Sequence, residues 1–277
     1  MKKTVTAMNT AWDRRKKHIK LGTGINMTYV EGGNPDGEDV IMLHGYSDSS
    51  RAYQEMMRIM ADKYHMYALD LRGHGDTDKP KQFAYTVEQH AEDVTSFLNQ
   101  MKIESFYGIG HSMGSVVLQG VGFSIPDRVK GLFLASSFAR FHHDTNDMKS
   151  FNKLFDGYEK NPPSKEEWIP NYRAYYDKAF PDYLEEAMSK WPCHCWKAGW
   201  YGLESVDFTK FVGMISAPVM FVWGGLDDLV TEEHRKELME LLPDAECKIY
   251  PENTHELNQE ITEDIINDII YFFRKIK

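Results

Sequence analysis

One serine of the sequence stands in a setting that suits a nucleophile. Residues 110–114 read Gly-His-Ser-Met-Gly, after an apolar run at 106–109 and at the start of a helical pattern at 113–123. A turn from strand to helix this tight leaves no room for a side chain two positions before or after Ser112, which accounts for both glycines. Such a turn raises the serine hydroxyl above the sheet, where it can attack a carbonyl carbon.

A serine hydroxyl is a weak nucleophile and needs a base within hydrogen-bond reach. His255 follows the last apolar run, at 247–250, so its loop lies on the same edge of a parallel sheet as the serine turn. His255 is therefore the predicted base. Histidines in charged or helical surroundings are predicted to lie at the surface, namely His18, His65, His90 and His234.

The acid that orients this base is expected between the serine and the histidine in the chain. Residues 224–228, Gly-Gly-Leu-Asp-Asp, directly follow an apolar run at 219–223. Asp227 and Asp228 can both reach the edge of the sheet, and we favour Asp227. The other aspartate could cap the helix that begins near Thr231. Residues 135–138, after another predicted strand, hold no acid, which strengthens Asp227.

Attack on a carbonyl creates an oxyanion, which backbone N–H groups commonly stabilise. We predict that the amides of Tyr46 and Met113 form this oxyanion hole, since one follows the apolar run at 40–43 and the other opens the helix after the serine. The Tyr46 side chain would be left to line the substrate pocket. His44 stands directly before a glycine turn and is predicted to brace this loop.

The spacing of these residues requires a sheet whose strands end at one edge. Apolar runs at 40–43, 64–71, 106–109, 129–134, 219–223 and 247–250 predict strands that are buried on both faces. Helical patterns lie between them, at 51–61, 87–101, 113–123, 231–241 and 262–274, and a hairpin is predicted at 17–31. This alternation indicates an α/β fold with a mostly parallel sheet flanked by helices.

Residues 140–213 interrupt the alternation, because they contain no clear strand and are rich in aromatic side chains. We predict a core at 1–139 and 214–277 with a helical lid at 140–213 inserted between its two parts. The aromatic residues of the lid could pack it onto the core or line an apolar pocket. The predicted substrate-binding residues are Tyr46, His111, Trp168, Trp196 and Trp200.

The bulk properties limit the classes of partner. The formal net charge of −10 disfavours nucleic acid and anionic membranes. The N-terminus lacks the apolar segment of a signal peptide, and the three cysteines are too few and too unevenly placed for a disulfide framework. A cytoplasmic protein with a small-molecule substrate is expected; the oligomeric state is not indicated. No cofactor and no metal are expected, because the residues around His142 and Asp144 lack a second ligand group at suitable spacing.

Together these motifs resemble the α/β-hydrolase superfamily, in its lid-bearing branch of esterases, lactonases and carbon–carbon hydrolases. The resemblance covers about residues 20–275 and implies the α/β-hydrolase fold with an inserted helical lid. The nucleophile is serine, whereas haloalkane dehalogenases and epoxide hydrolases of similar layout carry aspartate. The oxyanion loop, His-Gly-Tyr-Ser at 44–47, differs from the glycine-rich loop of many lipases. The pair before His255, Asn-Thr, replaces the small residue or glycine that the family often has.

The predicted function is hydrolysis of a carboxylic ester or lactone of a small, largely apolar substrate through a Ser112–His255–Asp227 triad and an acyl-enzyme. Two alternatives remain open from the sequence. A carbon–carbon bond hydrolase or a thioesterase would use the same triad under a differently shaped lid. A non-catalytic small-molecule receptor would keep the pocket without turnover, although the intact triad argues against it.

Overall fold

The computed structural model describes residues 11–81, 85–142 and 190–277. Eight strands form one sheet. In chain order they are β1 (Lys16–Lys20), β2 (Asn26–Gly33), β3 (Glu38–Leu43), β4 (Tyr64–Leu69), β5 (Phe106–His111), β6 (Val129–Ala135), β7 (Val219–Gly224) and β8 (Glu246–Tyr250). Each predicted apolar run coincides with one of these strands within two residues, and β1 and β2 form the predicted hairpin.

The helices of the described residues lie between and after these strands. In chain order they are α1 (Gln54–Met60), α2 (Val87–Met101), α3 (Met113–Ser124), α4 (Cys193–Glu204), α5 (Glu232–Leu241), the single turn α6 (Leu257–Glu260) and α7 (Thr262–Lys275). The first residues of the predicted helix at 51–61 belong to a 3₁₀ turn, Ser50–Tyr53, and the other predicted helices are found. None of these helices is both long and apolar enough to cross a membrane.

The strand order is β1-β2-β4-β3-β5-β6-β7-β8. Only the pairs β1–β2 and β2–β4 are antiparallel, and every pair from β4 to β8 is parallel. Register brings Leu43 beside Gly110, and His111 beside Ala135, which in turn lies beside Val222. The carboxyl ends of the central strands therefore lie in line at one edge, as predicted.

Each face of the sheet packs against its own set of helices. Alternate residues of β3 point to opposite faces: Ile41 belongs to the cluster that includes α2 and α3, and Met42 to the one that includes α1 and α7. All residues of β5 and of β7 are buried. Burial on both faces explains why these strands are continuous apolar runs in the sequence.

Residues 140–142 and 190–213 are the described part of the predicted lid, and α4, which lies in the second of these ranges, packs tightly on the core. A Cβ on Gly202 of this helix would stand 2.1 Å from the carbonyl oxygen of Tyr85, so only a glycine permits this approach. Trp168 and most of the segment 140–213 lie outside the described residues. The division into 1–139, 140–213 and 214–277 thus stays a prediction.

Two of the histidines predicted to lie at the surface are buried. His90 and His234 are each 1% exposed, whereas His18 is exposed and His65 half-buried. The prediction failed for His90 because α2 turns this residue toward a buried group of imidazoles, with its ring centroid 6.1 Å from that of His74. Burial lowers the pKa of His90 to about 3 and that of His234 to about 4.

Because these imidazoles are buried, we predict that the free energy of unfolding declines toward acid pH. An unfolded histidine takes up a proton near pH 6.5, whereas folded His90 stays neutral down to about pH 3. The free energy of unfolding should therefore fall as the pH drops below 6.5, by up to about 1.4 kcal/mol per pH unit for each such histidine. Urea unfolding between pH 5 and 7.5 measures this slope. His90→Leu should reduce it, and the control His18→Leu, at an exposed position, should not; equal slopes in the wild type and His90→Leu would contradict the assignment.

Candidate active site

Ser112 lies on a sharp turn between β5 and α3. Its backbone has φ 49° and ψ −120°, a conformation that residues with a side chain rarely adopt. A Cβ on Gly110 would stand 2.7 Å from the carbonyl oxygen of Gly114, and one on Gly114 would stand 2.1 Å from that of Leu43. Both glycines are therefore required by the close approach of backbone segments, as the sequence spacing indicated.

The structure brings together the three predicted triad residues. Ser112 Oγ lies 2.8 Å from His255 Nε2, and His255 Nδ1 lies 2.9 Å from Asp227 Oδ2. The side chains come from the loops after β5, β8 and β7. All three residues are less than 10% exposed, with values of 8% for Ser112, 4% for His255 and 5% for Asp227. This arrangement lets Ser112 donate to the imidazole while the Nδ1–H donates to the carboxylate.

The carboxylate of Asp227 is itself held in place. Its Oδ1 atom accepts hydrogen bonds from the amides of Leu229 and Val230, at 3.0 and 2.8 Å, which leaves Oδ2 for the histidine. The helix α5 is capped by Thr231, and the cap pairs with His234. The expectation that the second aspartate, Asp228, caps this helix is therefore wrong, because Thr231 itself occupies the capping position.

The environment of His255 favours a strong base. Burial by itself lowers the pKa of this imidazole, but the adjacent Asp227 carboxylate more than offsets it, and Glu256 adds a smaller effect. The net result raises the pKa of His255 to about 9. The carboxylate thus stabilises the imidazolium, and the neutral ring, which predominates above about pH 9, is the form that can accept a proton from a serine hydroxyl.

The loop after β3 lies directly against the serine turn. A Cβ on Gly45 would stand 3.4 Å from Ser112 Cβ, so the loop that continues into Tyr46 passes beside Ser112. Met113 is the first residue of α3, and its N–H belongs to the helix end that has no intrahelical acceptor. These positions suit the predicted oxyanion hole, and the role of the two amides stays a prediction.

His44 braces this loop. Its Nδ1–H donates to the carbonyl of Gly45 at 2.7 Å, and its Nε2 accepts from the amide of Leu71 at 3.0 Å. Complete burial lowers the pKa of His44 to about 4, so the ring is neutral at neutral pH. The structure thus confirms a structural use of this histidine.

Aromatic side chains of α4 surround Tyr46. The hydroxyl of Tyr46 donates to the carbonyl of Trp196 at 2.7 Å, and its ring centroid lies 5.9 Å from that of Trp196 and 5.7 Å from that of Trp200. Trp191, which the sequence did not single out, lies 5.0 Å from the same ring. Trp168 lies outside the described residues. Tyr46, Trp196 and Trp200 thus form one aromatic group, and their contact with substrate stays a prediction.

The remaining predicted substrate-binding residue, His111, is buried beneath the triad. Its Nε2 lies 2.9 Å from the backbone carbonyl oxygen of His255. Within the described part of the chain, His111, His255 and Glu256 are the one group of three potential metal ligands whose atoms lie within 4.8 Å of one another. Both ring nitrogens of His255 already face Ser112 and Asp227, so neither is directed toward a metal ion held by His111 and Glu256.

A polar network under the serine turn escaped the sequence interpretation. Ser115 Oγ lies 2.6 Å from the carbonyl oxygen of Ser112 and 2.8 Å from Ser137 Oγ, which also accepts a hydrogen bond from Gln119 at 2.8 Å. These side chains are buried. The network anchors the backbone of Ser112, whose φ is positive. Small polar residues on a helix and in a loop carry no spacing signal that would have revealed it.

Comparison with known proteins assigns the chain to a family. Residues 34–262 match the family described as "Serine aminopeptidase, S33". This match spans most of the chain. The sheet and helices of the chain, and the solved structures that resemble it, are those of the α/β-hydrolase superfamily. The chain therefore belongs to this family, and it is a hydrolase of the α/β-hydrolase superfamily.

Individual relatives agree with this assignment. The chain is 25% identical to the uncharacterized hydrolase YugF of Bacillus subtilis over 268 residues, which cover 91% of this chain and 95% of that protein. It is 24% identical to Lipase 3 of Moraxella sp., with coverage of 92% and 84%. A putative aryl esterase from Burkholderia cenocepacia has a similar fold, with a TM-score of 0.82, 17% identity and coverage of 95% and 99%.

Replacing the carboxylate that faces His255 should alter both rate and pH dependence. Asp227→Asn should lower kcat by about 10⁴, because the amide no longer holds the imidazole in the tautomer that accepts the serine proton. In the wild type, kcat/KM should rise with pH toward the His255 pKa of about 9, since only the neutral imidazole is a base. The variant should shift this limb to lower pH. Rate–pH profiles of the wild type and of Asp227→Asn test these expectations, and Asp228→Asn is the control. An equal loss of rate in Asp227→Asn and Asp228→Asn would show that Asp227 has no special role.

A methyl group on Gly45 should damage catalysis more than folding. It would stand 2.9 Å from His111 Nδ1, so the loop must move and carry the Tyr46 amide with it. We expect Gly45→Ala to lower kcat by about 10²–10³, the usual cost of losing one oxyanion donor. Gly213→Ala is the matched control, because its methyl would meet only the Leu241 carbonyl oxygen at 3.5 Å. Steady-state kinetics of the two variants test this expectation. An unchanged kcat in Gly45→Ala would exclude this loop from the oxyanion hole.

Proposed function

We propose that the protein hydrolyses carboxylic esters or lactones of small, largely apolar molecules, with Ser112 as nucleophile, His255 as base and Asp227 as the orienting acid. The observation that carries this proposal is the continuous pair of hydrogen bonds, 2.8 Å from Ser112 to His255 and 2.9 Å from His255 to Asp227. The burial of all three residues supports it, because a low-dielectric site strengthens charge stabilisation during reaction.

Each step of the reaction has a residue in position. Ser112 Oγ attacks the carbonyl carbon while its proton passes to His255 Nε2, and the tetrahedral oxyanion takes hydrogen bonds from the amides of Tyr46 and Met113. The imidazolium then protonates the leaving alkoxide oxygen as the carbon–oxygen bond breaks. A water molecule, deprotonated by the same imidazole, attacks the acyl-enzyme, and collapse of the second oxyanion releases the carboxylic acid and free Ser112.

The surroundings of the nucleophile favour an apolar substrate. Tyr46, which follows Gly45 in the loop beside Ser112, is packed among the rings of Trp191, Trp196 and Trp200, so this loop carries an aromatic cluster. Such surfaces bind apolar groups through burial and ring contacts. The relationship to Lipase 3 of Moraxella sp. is in line with an ester substrate. The net charge of −10 argues against a polyanionic one.

Removal of the nucleophile tests the proposal directly. Ser112→Ala should lower kcat on p-nitrophenyl butyrate by about 10⁶, and it should abolish labelling by a fluorophosphonate probe. Ser124→Ala, at the far end of the same helix, should keep wild-type turnover and labelling. If Ser112→Ala retains most of the hydrolysis, the triad is not the reactive group.

A substrate panel separates the proposed chemistry from its alternatives. Short, long and cyclic esters should be cleaved faster than acyl-thioesters, vinylogous diketones and aminoacyl anilides. Preference for a thioester or a diketone would favour a thioesterase or a carbon–carbon hydrolase. Preference for an anilide would agree with the description of the family. Absence of both turnover and fluorophosphonate labelling in the wild type would favour a receptor.

A further inference from the structure

The backbone carbonyl of His255 is held by two side chains from other loops. The Nε2–H of His111 donates to this oxygen at 2.9 Å, and the hydroxyl of Ser136 donates to it at 2.8 Å. His111 stands just before the nucleophile, at the end of β5, and Ser136 follows β6. The serine turn, the loop after β6 and the loop that carries His255 therefore meet at one oxygen atom. We call this group, which consists of His111, Ser136 and the carbonyl of His255, the carbonyl clamp.

We propose that His111 and Ser136 are positioning residues that fix the backbone of His255 and thereby set its imidazole against Ser112. This inference rests on the proposed function, in which Ser112 and His255 react together. It goes beyond the triad because neither residue touches the reacting atoms. The substrate-binding role predicted for His111 is independent of this one.

The contacts of His111 define its state and its place. Because Nε2 carries the proton that the His255 carbonyl accepts, Nδ1 of the neutral ring is left unprotonated. Burial lowers the pKa of His111 by more than the nearby Glu256 carboxylate and the hydrogen bond to the His255 carbonyl raise it, so the neutral form is favoured. Nδ1 points to the other side, 2.9 Å from where a Cβ on Gly45 would stand. The ring thus separates the loop of Tyr46 from the base by a fixed distance.

Ser136 provides an independent sign that this position is constrained. Its φ is 49°, in the left-handed region, although it is not a glycine. Its amide donates to the carbonyl of Val222 at 2.8 Å, and the residue is completely buried. A non-glycine residue is kept in this region only where the surrounding contacts determine it. The unusual backbone turns the hydroxyl toward the His255 carbonyl.

Catalysis by a serine–histidine pair depends on the distance between the two groups. A displacement of about 1 Å in a reacting group can lower the rate by about 10². The next residues toward the N-terminus are also anchored, since the carbonyl of Asn253 accepts from the amide of Leu226 at 2.9 Å. That contact lies two residues away, however, whereas the carbonyl clamp acts on the backbone unit of His255 itself.

Variants of His111 with and without a donor test the proposal. His111→Leu removes the N–H at similar volume, and we expect kcat on p-nitrophenyl butyrate to fall about 10- to 100-fold while KM stays within about twofold. His111→Gln keeps an N–H donor and should recover most of the lost kcat. A merely structural residue would not show this rescue at equal thermal stability. Wild-type kcat in His111→Leu, or equal losses in both variants, would overturn the proposal.

Ser136→Gly offers a second route if His111→Leu fails to fold. Glycine accepts the left-handed backbone without strain, so this variant removes the hydroxyl and leaves the chain path free to persist. We expect kcat to fall several-fold at unchanged KM, and the rate of fluorophosphonate labelling of Ser112 to fall in parallel. A wild-type labelling rate in Ser136→Gly would overturn the role of the carbonyl clamp. Failure of the wild-type protein to be labelled would instead overturn the proposed function.

Discussion

The hydrogen bond between His255 and Asp227 is the interaction on which the rest of the site depends. A buried imidazole without this partner would be a poor base, because desolvation disfavours its protonated form. The carboxylate reverses that effect and fixes which nitrogen faces the serine. Asp227 can do so only because two amides occupy its other oxygen and hold the carboxylate in one orientation. Two backbone amides therefore position the Asp227 carboxylate, which in turn positions the His255 imidazole.

The sheet supplies the geometry that this interaction requires. Three parallel strands, β5, β7 and β8, end at the same edge, and each delivers one member of the group from the loop that follows it. The residues are far apart in the chain but need no long excursion to meet. This arrangement requires a strained backbone turn at Ser112. Two glycines make room for that turn, and a hydrogen bond from Ser115 stabilises it.

Much of this arrangement could be predicted from the sequence because its signals are local. Continuous apolar runs located the strands, and the glycines around Ser112 reported a close backbone approach. The order of the loops then placed Asp227 and His255 at the same edge. Such local signals show where a residue lies along a strand or helix and at which edge of the sheet its loop lies.

The features that the sequence predicted wrongly or did not reveal are not local, since they depend on packing between distant segments. His90 and His234 look like surface residues in charged helices, yet tertiary contacts bury both. Thr231 rather than Asp228 caps α5, a matter of one residue in the path of a loop. The polar network below Ser112 joins side chains of α3 to Ser137, in the loop after β6, and the hydrogen bonds to the His255 carbonyl join side chains to a backbone atom of a third loop. Both depend on which distant segments meet. No side-chain pattern in the sequence could therefore reveal them.

The positive φ of Ser112 implies a conflict between robustness and chemistry at this one position. Backbone strain of this kind costs about 1–3 kcal/mol, and a glycine would relieve it. Selection for a more heat-resistant chain would thus favour loss of the hydroxyl that the proposed reaction needs. Under the proposed function, Ser112 is therefore a stability–activity trade-off, in which the hydroxyl is kept at a position where glycine would fit the backbone better.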